Sequence, residues 1–115
     1  MCFVATSASG QERDCDNAQT QTDMNICAGL ALDAADAELN ATYQDVMADL
    51  KTNQPGVALA LRDAQRAWIP FRDAACHAEA LRYEGGSIQP LIHASCLEKL
   101  TRQRTNDIRL GFEKY

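Results

Sequence analysis

Two cysteines and two histidines in the second half of the chain are residues whose types could ligate a metal ion. They are Cys76, His77, His93 and Cys96, and two cysteines with two histidines form a set that zinc accepts. Their spacing differs from the paired knuckle of zinc-binding domains. On a helix His77 would point about 100° away from Cys76, whereas His93 and Cys96 would share a face. We therefore favour a disulfide beside two exposed histidines, and predict neither a metal nor another cofactor.

The carboxylates do not follow a pattern that indicates hydrolysis. No spacing among them assigns a general acid and a general base. We expect most of them on solvated helix faces: Asp33, Asp36, Glu38, Asp45, Asp49, Asp63, Asp73 and Glu79. A glycine-rich phosphate loop, a zinc-protease helix motif and a nucleophile elbow are also absent from the sequence. The sequence therefore predicts that the protein is not an enzyme.

The chain has five cysteines in 115 residues, a density that favours disulfides in an exported protein. Cys2 is the natural unpaired one, and a lipid attached to it is the alternative. The other four are Cys15, Cys27, Cys76 and Cys96. Four cysteines allow three connectivities, so their number alone does not choose among them.

Apolar residues recur along the chain at the spacing of α-helices, so helices should position the cysteines. A first helix should begin at Thr22 or Asp23 and end between Lys51 and Gly56, because Pro55 cannot continue the hydrogen-bond ladder. Its apolar face carries Cys27, Ala31, Ala35, Leu39, Tyr43, Val46 and Leu50.

A second helix should run to about Tyr83, with a kink or break near Trp68 caused by Pro70. Its predicted apolar stripe is Leu61, Ala64, Trp68, Phe71, Ala75 and Ala78. A third helix should follow Gly85 and Gly86, capped by Ser87 and with Pro90 in its first turn. It carries Leu91, Ile92, Cys96, Leu100 and Ile108.

The fold class predicted from this pattern is all-α, an antiparallel bundle of three main helices. Cys76 precedes Gly85 by nine positions and Cys96 follows Gly86 by ten, so both lie about 14 Å from the turn at ~1.5 Å rise per residue. They are therefore level across a helical hairpin and should pair. Cys15 would then pair with Cys27, holding the segment before the first helix.

Charge and hydropathy narrow the possible partners. The formal net charge of -5 argues against nucleic acid and anionic membranes, and favours a basic partner. No apolar run approaches the ~18 residues of a membrane span. Residues 1–10 resemble either the end of a secretory signal or a disordered tail, which leaves a single domain over residues 11–115.

The segment from Ala64 to Cys76 (AQRAWIPFRDAAC) concentrates large and charged side chains in an alanine-rich chain. Trp68 and Phe71 are spaced to contribute to the core, because burying them removes a large apolar area from water. We expect Arg72 to reach Asp36 on the first helix and form a structural ion pair.

These segments resemble the LprI-like lysozyme inhibitor family. The resemblance covers about Cys15 to Arg109 and is carried by CDNAQTQTDMNIC, AADAELNATY, AQRAWIPFRDAAC, EGGS and HASCLEKLTRQRT. It implies an exported helical domain, in the periplasm or on a lipid anchor, and some members inhibit lysozyme. Polar and aromatic residues of these segments should be architectural: Asp36, Asn40, Tyr43, Gln65, Arg66, Trp68, Arg72 and Asp73.

The functional hypothesis that follows is a binding protein that blocks a basic muramidase by inserting a loop into its substrate cleft. The candidate loop comprises Tyr83, Glu84, Gly85, Gly86, Ser87 and Gln89. The alternative for the loop is a tight turn with no binding role. The alternative for the protein is a cell-envelope scaffold that binds another protein without inhibiting it.

Overall fold

A computed structural model describes residues 14–112 of the chain. Within that range, a short 3-10 helix at Cys15–Asn17 precedes three α-helices: α1 at Gln21–Asn53, α2 at Pro55–Leu81 and α3 at Gln89–Phe112. The all-α prediction is confirmed, and residues 14–112 contain no strand. The interpretations of residues 1–10 and of Cys2 lie outside the described residues.

The first helix begins slightly earlier than Thr22. Thr20 is the N-cap, and its Oγ1 accepts a hydrogen bond of 3.0 Å from the backbone N–H of Asp23. The Asp23 carboxylate in the first turn also suits the positive end of the helix dipole. From there α1 continues for 33 residues, about 50 Å at 1.5 Å per residue.

A single residue, Gln54, connects α1 to α2. Its N–H donates to the Leu50 carbonyl at 2.7 Å, and its own carbonyl accepts from the Ala58 N–H at 3.0 Å, so Gln54 continues the hydrogen bonding of both helices. Pro55 occupies the first turn of α2. A backbone N–H in that turn would have no partner within the helix, so the lack of one in proline costs no hydrogen bond. The predicted end of the first helix is thus confirmed.

The predicted apolar stripe of the second helix is right at Leu61, Trp68 and Ala75, which are buried or half-buried, and wrong at its other three positions. Ala64, Phe71 and Ala78 are exposed, with Phe71 at 62%. Besides Leu61, the side that faces the bundle buries Ala58, Gln65, Cys76 and Ala80, which the predicted stripe did not include. Two polar residues, Gln65 and Arg72, occupy inward positions through hydrogen bonds to other helices, which a hydrophobicity pattern does not register.

The predicted break near Trp68 is absent, since α2 continues through Pro70 to Leu81. Pro70 lies on the exposed surface. Proline has no backbone N–H, so the carbonyl one turn earlier lacks its usual donor, and water can bind that carbonyl instead. The hydrogen bonds of the other turns and the packing of the inward face keep the helix continuous.

The three helices alternate in direction. Contacts from Gln65 to Arg104 and from Cys76 to Cys96 run in opposite senses along α2 and α3, so these helices are antiparallel. Contacts from Glu38 to Arg102 and from Thr42 to Arg109 advance together, so α1 and α3 are parallel. The core cluster lies between them and comprises Leu39, Val46, Met47, Leu50, Ala58, Leu61 and Ile108.

The start of α3 differs from the prediction by one residue. The helix begins at Gln89 and the carbonyl of Ile88 accepts from the Ile92 N–H at 3.0 Å, so Ser87 is not its N-cap. Ser87 instead lies in the preceding loop, because the turns after α2 extend that far. Pro90 lies in the first turn as predicted. None of the helices within residues 14–112 is long and apolar enough to cross a membrane.

Candidate functional site

Both predicted disulfides are present. Cys15 pairs with Cys27 at a Cα–Cα distance of 5.6 Å, and Cys76 pairs with Cys96 at 5.5 Å. The second bond is buried between α2 and α3. It therefore holds the base of the connection between those helices, and the first holds the 3-10 helix against α1.

The Cys76–Cys96 disulfide bears on the zinc hypothesis. Cys76 and Cys96 bond to each other, so neither presents a thiolate to a metal. His77 and His93 are exposed and line a cleft of about 270 Å³ between α2 and α3. Residues 14–112 contain no group of three or more histidine, cysteine or acidic side chains arranged to hold an ion.

The loop between α2 and α3, residues 82–88, is a series of tight turns. The N–H groups of Tyr83 and Glu84 donate to carbonyls in the last turn of α2 at 2.9 and 3.1 Å, and the Gly86 N–H donates to the Tyr83 carbonyl at 3.0 Å. Gly85 has φ +83°, a left-handed conformation that glycine adopts without a Cβ clash. The backbone is therefore fixed while the side chains of residues 82–88 are exposed.

A hydrogen bond ties this loop to α1. The Asn25 side-chain amide donates to the Ser87 carbonyl at 3.5 Å, and Gln21 orients Asn25 by donating to its Oδ1 at 2.8 Å. Because α1 and α3 are parallel, the loop lies beside the first turns of α1. We call residues 14–30 and 79–91 together the disulfide end of the bundle.

Apolar and acidic side chains are exposed together at the disulfide end. Its exposed large hydrophobic residues are Ile26, Leu30, Leu81, Tyr83 and Ile88, which are most of those exposed within residues 14–112. Its acidic residues are Asp14, Asp16, Asp23, Glu79 and Glu84, whereas Arg82 is its one lysine or arginine. This surface combines an apolar area with negative charge, which suits a basic protein partner.

Arg72 joins the three helices at the middle of the bundle. Its guanidinium donates to Asp36 on α1 at 3.3 Å and to Thr101 on α3 at 3.2 Å, and contacts its neighbour Asp73 at 2.9 Å. It also lies 5.3 Å from the centre of the Trp68 ring. The predicted Arg72–Asp36 ion pair is thus present, with additional partners.

Further polar contacts across the bundle were not predicted from the sequence. Arg104 donates to the buried Gln65 at 2.8 Å, and Arg109 contacts Glu38 at 3.1 Å and Thr42 at 3.1 Å. Thr101 and Thr105 are buried one turn apart, and this four-residue spacing on α3 is the signal that could have identified them.

Arg102 and Glu98 form an ion pair on the surface of α3. The side-chain hydrogen bond to Glu98 is the main cause that raises the pKa of Arg102 above its ordinary value, and the negative charge of Glu38 raises this pKa further. Because Arg102 also contacts Glu38 at 3.3 Å, it joins α3 to α1 at the surface.

The remaining predicted architectural residues have different environments. Tyr43 and Trp68 are half-buried and pack against the core. Asn40 and Arg66 are exposed. The structure therefore brings Asp36, Gln65, Trp68, Arg72 and Asp73 into or beside one polar network, while Asn40, Tyr43 and Arg66 lie outside it.

Comparison with known proteins identifies the family of the chain. The model of the family "Lysozyme inhibitor LprI" matches residues 13–108, so the chain belongs to this family. A protein of Rhizobium meliloti (strain 1021) described as uncharacterized protein R02472 is 40% identical over 118 residues, covering 94% of this chain and 85% of that protein. No solved structure matches.

Proposed function

We propose that this protein is an exported, non-catalytic inhibitor that binds a basic muramidase. Membership of the lysozyme inhibitor family is the observation that carries the proposal. The two disulfides support export, because such bonds persist in oxidising compartments. The net charge of -5 supports a cationic target, toward which an acidic protein is attracted over a distance.

The disulfide end is the surface that we propose contacts the muramidase. Tyr83 and Ile88 supply exposed apolar area beside Glu84, and aromatic side chains with apolar neighbours are typical of the centre of a protein interface. Acidic residues around them would pair with basic residues at the rim of the target cleft. The fixed backbone of the loop lowers the entropy lost on binding.

The loop is proposed to enter the substrate cleft and exclude the polysaccharide from the two catalytic carboxyl groups. Gly85 and Gly86 carry no side chains, so the tip of the loop is narrow enough to enter between the walls of such a cleft. The backbone hydrogen bonds from Tyr83 to Gln89 keep the tip in one conformation.

Replacement of the loop tests this proposal. Tyr83→Ala/Glu84→Lys should weaken inhibition of cell-wall lysis by a panel of basic muramidases by about tenfold or more, because it removes an aromatic contact and reverses a charge. Asp107→Lys at an exposed position of α3, outside the disulfide end, is the matched charge control. Equal inhibition by wild type and the loop variant would remove the loop from the site, and lack of inhibition by the wild type across the panel would contradict the function.

A non-inhibitory scaffold in the cell envelope is the second candidate function. The observation that favours it is a groove between α1 and α2 at the opposite end of the bundle. Lys51, Arg62 and Arg66 line this groove with no acidic residue, so it does not suit a basic muramidase. In that case the wild type would bind an envelope protein and leave muramidase activity unchanged.

A further inference from the structure

A groove of about 800 Å³ lies between α1 and α2, beside the Gln54 turn and away from the disulfide end. Its lining is mostly apolar and includes Tyr43, Met47 and Leu59. Leu59 is 55% exposed, although it belongs to a helix whose neighbouring turns contribute to the core. An exposed leucine and a methionine that line the same groove are typical of a surface that binds another apolar side chain.

The rims of this groove are basic in a protein that is acidic as a whole. Lys51 lies on the α1 side, Arg62 and Arg66 lie one turn apart on the α2 side, and no lining residue is acidic. Arg62 also contacts Asp63 at 3.2 Å, an exposed pair of small energy. Lys51 and Arg66 have no ion pair with any residue in the range 14–112.

The acidic residues of α1 that are closest in sequence to the lining residues do not neutralise the positive charge of the groove. Asp45 and Asp49 are each two positions from Met47, which places them about 160° away from it around the helix. They therefore lie on the other side of α1. The groove is thus a local region of positive charge in a chain with a net charge of -5.

The length and openness of the groove indicate the kind of occupant. Its lining residues span 43–51 on α1 and 55–66 on α2, about 12 and 16 Å at 1.5 Å per residue. That length corresponds to two or three turns of a helix. A small amphiphile would instead favour an enclosed pocket with cations at one end, whereas this groove has cations on both sides.

We propose that this groove binds an acidic amphipathic helix of a partner protein. Apolar side chains of that helix would pack on Tyr43, Met47 and Leu59, and aspartate or glutamate on its flanks would pair with Lys51 and Arg66. This is the helix-in-groove mode of recognition. The inference goes beyond the proposed muramidase inhibition, since a basic muramidase does not complement a basic groove and the two surfaces lie at opposite ends of the bundle.

A labelled peptide tests the groove directly. The probe is a fluorescein-labelled peptide of about 14 residues with leucines at positions i, i+3, i+4 and i+7 and glutamates on both flanks. Fluorescence anisotropy with the full chain should show binding that weakens as salt rises. Arg66→Glu should weaken it about tenfold or more, and Lys51→Glu/Arg66→Glu should weaken it further.

Matched controls separate the groove from the overall charge. Lys99→Glu changes the net charge as Arg66→Glu does but lies on the exposed side of α3, so it should bind the peptide like wild type. A twin peptide with lysine in place of glutamate should bind more weakly. Circular dichroism melts confirm that the variants are folded, and muramidase inhibition should be the same for Arg66→Glu and wild type.

Four results would overturn the assignment. They are absence of peptide binding at millimolar protein, equal loss of binding in Arg66→Glu and Lys99→Glu, binding of dodecanoate but not of the peptide, and self-association of wild type that Arg66→Glu abolishes. The third would make the groove a site for an anionic amphiphile, and the fourth would make it an interface between copies. None of these results bears on muramidase inhibition, which is measured separately.

Discussion

The guanidinium of Arg72 donates a hydrogen bond of 3.3 Å to the carboxylate of Asp36, and this contact joins α2 to α1. The two partners differ in exposure, because the Arg72 side chain is 16% exposed and that of Asp36 is 44% exposed. Arg72 also contacts Thr101, Asp73 and Trp68. The arginine is therefore the shared member of several contacts, and the aspartate contributes to one of them.

This asymmetry predicts unequal losses of stability. Arg72→Ala should lower the free energy of unfolding by about 2–3 kcal/mol, through lost packing and hydrogen bonds, whereas Asp36→Asn should lower it by about 0.5–1 kcal/mol. Urea unfolding of both single variants and the double variant gives the coupling energy. A coupling of roughly 0.5 kcal/mol or more is expected, and additive losses would show that the pair has no energetic role.

The Cys76–Cys96 disulfide is predicted to be a major source of stability. Replacement of both cysteines by alanine releases a segment of 20 residues, which by loop entropy should lower the free energy of unfolding by about 3 kcal/mol. Urea unfolding measures the loss. The same substitutions at Cys15 and Cys27 should cost slightly less, because their separation is 12 residues. A negligible change at positions 76 and 96 would contradict the entropic account.

The conformation of the loop predicts different effects at its two glycines. Gly85→Ala places a Cβ on a residue with φ +83° and should cost about 1–2 kcal/mol, although the surrounding space is open. Gly86→Ala meets the Tyr83 carbonyl oxygen at 3.3 Å without a positive φ, so a small shift of the loop can relieve it. Thermal unfolding should therefore rank Gly85→Ala as the less stable variant, and the reverse order would contradict the described backbone.

Much of the helical framework could be predicted because its signals are local. Thr20 caps α1 two residues before the predicted start, Pro55 begins α2, and the level spacing of Cys76 and Cys96 gives the pairing. These features depend on short segments whose geometry the residue types restrict.

Much of the inward face of α2, and the polar network beyond the Arg72–Asp36 pair, could not be predicted in the same way. Phe71 has the hydropathy of a core residue, yet Arg72 next to it takes the inward position because partners on α1 and α3 satisfy its charge. Thr101 is fully buried for the same reason, as it accepts from Arg72. Contacts between helices decide such positions, and apart from the Arg72–Asp36 pair the sequence pattern did not indicate which polar side chains meet.

The exposure of Phe71 gives a last prediction that separates it from Trp68. Trp68 packs against the core and beside two guanidinium groups, so Trp68→Ala should lower the free energy of unfolding by about 2–3 kcal/mol. Phe71→Ala should change it by less than about 0.5 kcal/mol, because its ring is largely in solvent already. Urea unfolding of the two variants measures both losses. A large loss for Phe71→Ala would show that Phe71 contributes to the core, as the predicted stripe has it. If Phe71→Ala instead leaves stability unchanged but weakens muramidase inhibition, the inhibitory surface extends from the disulfide end along α2.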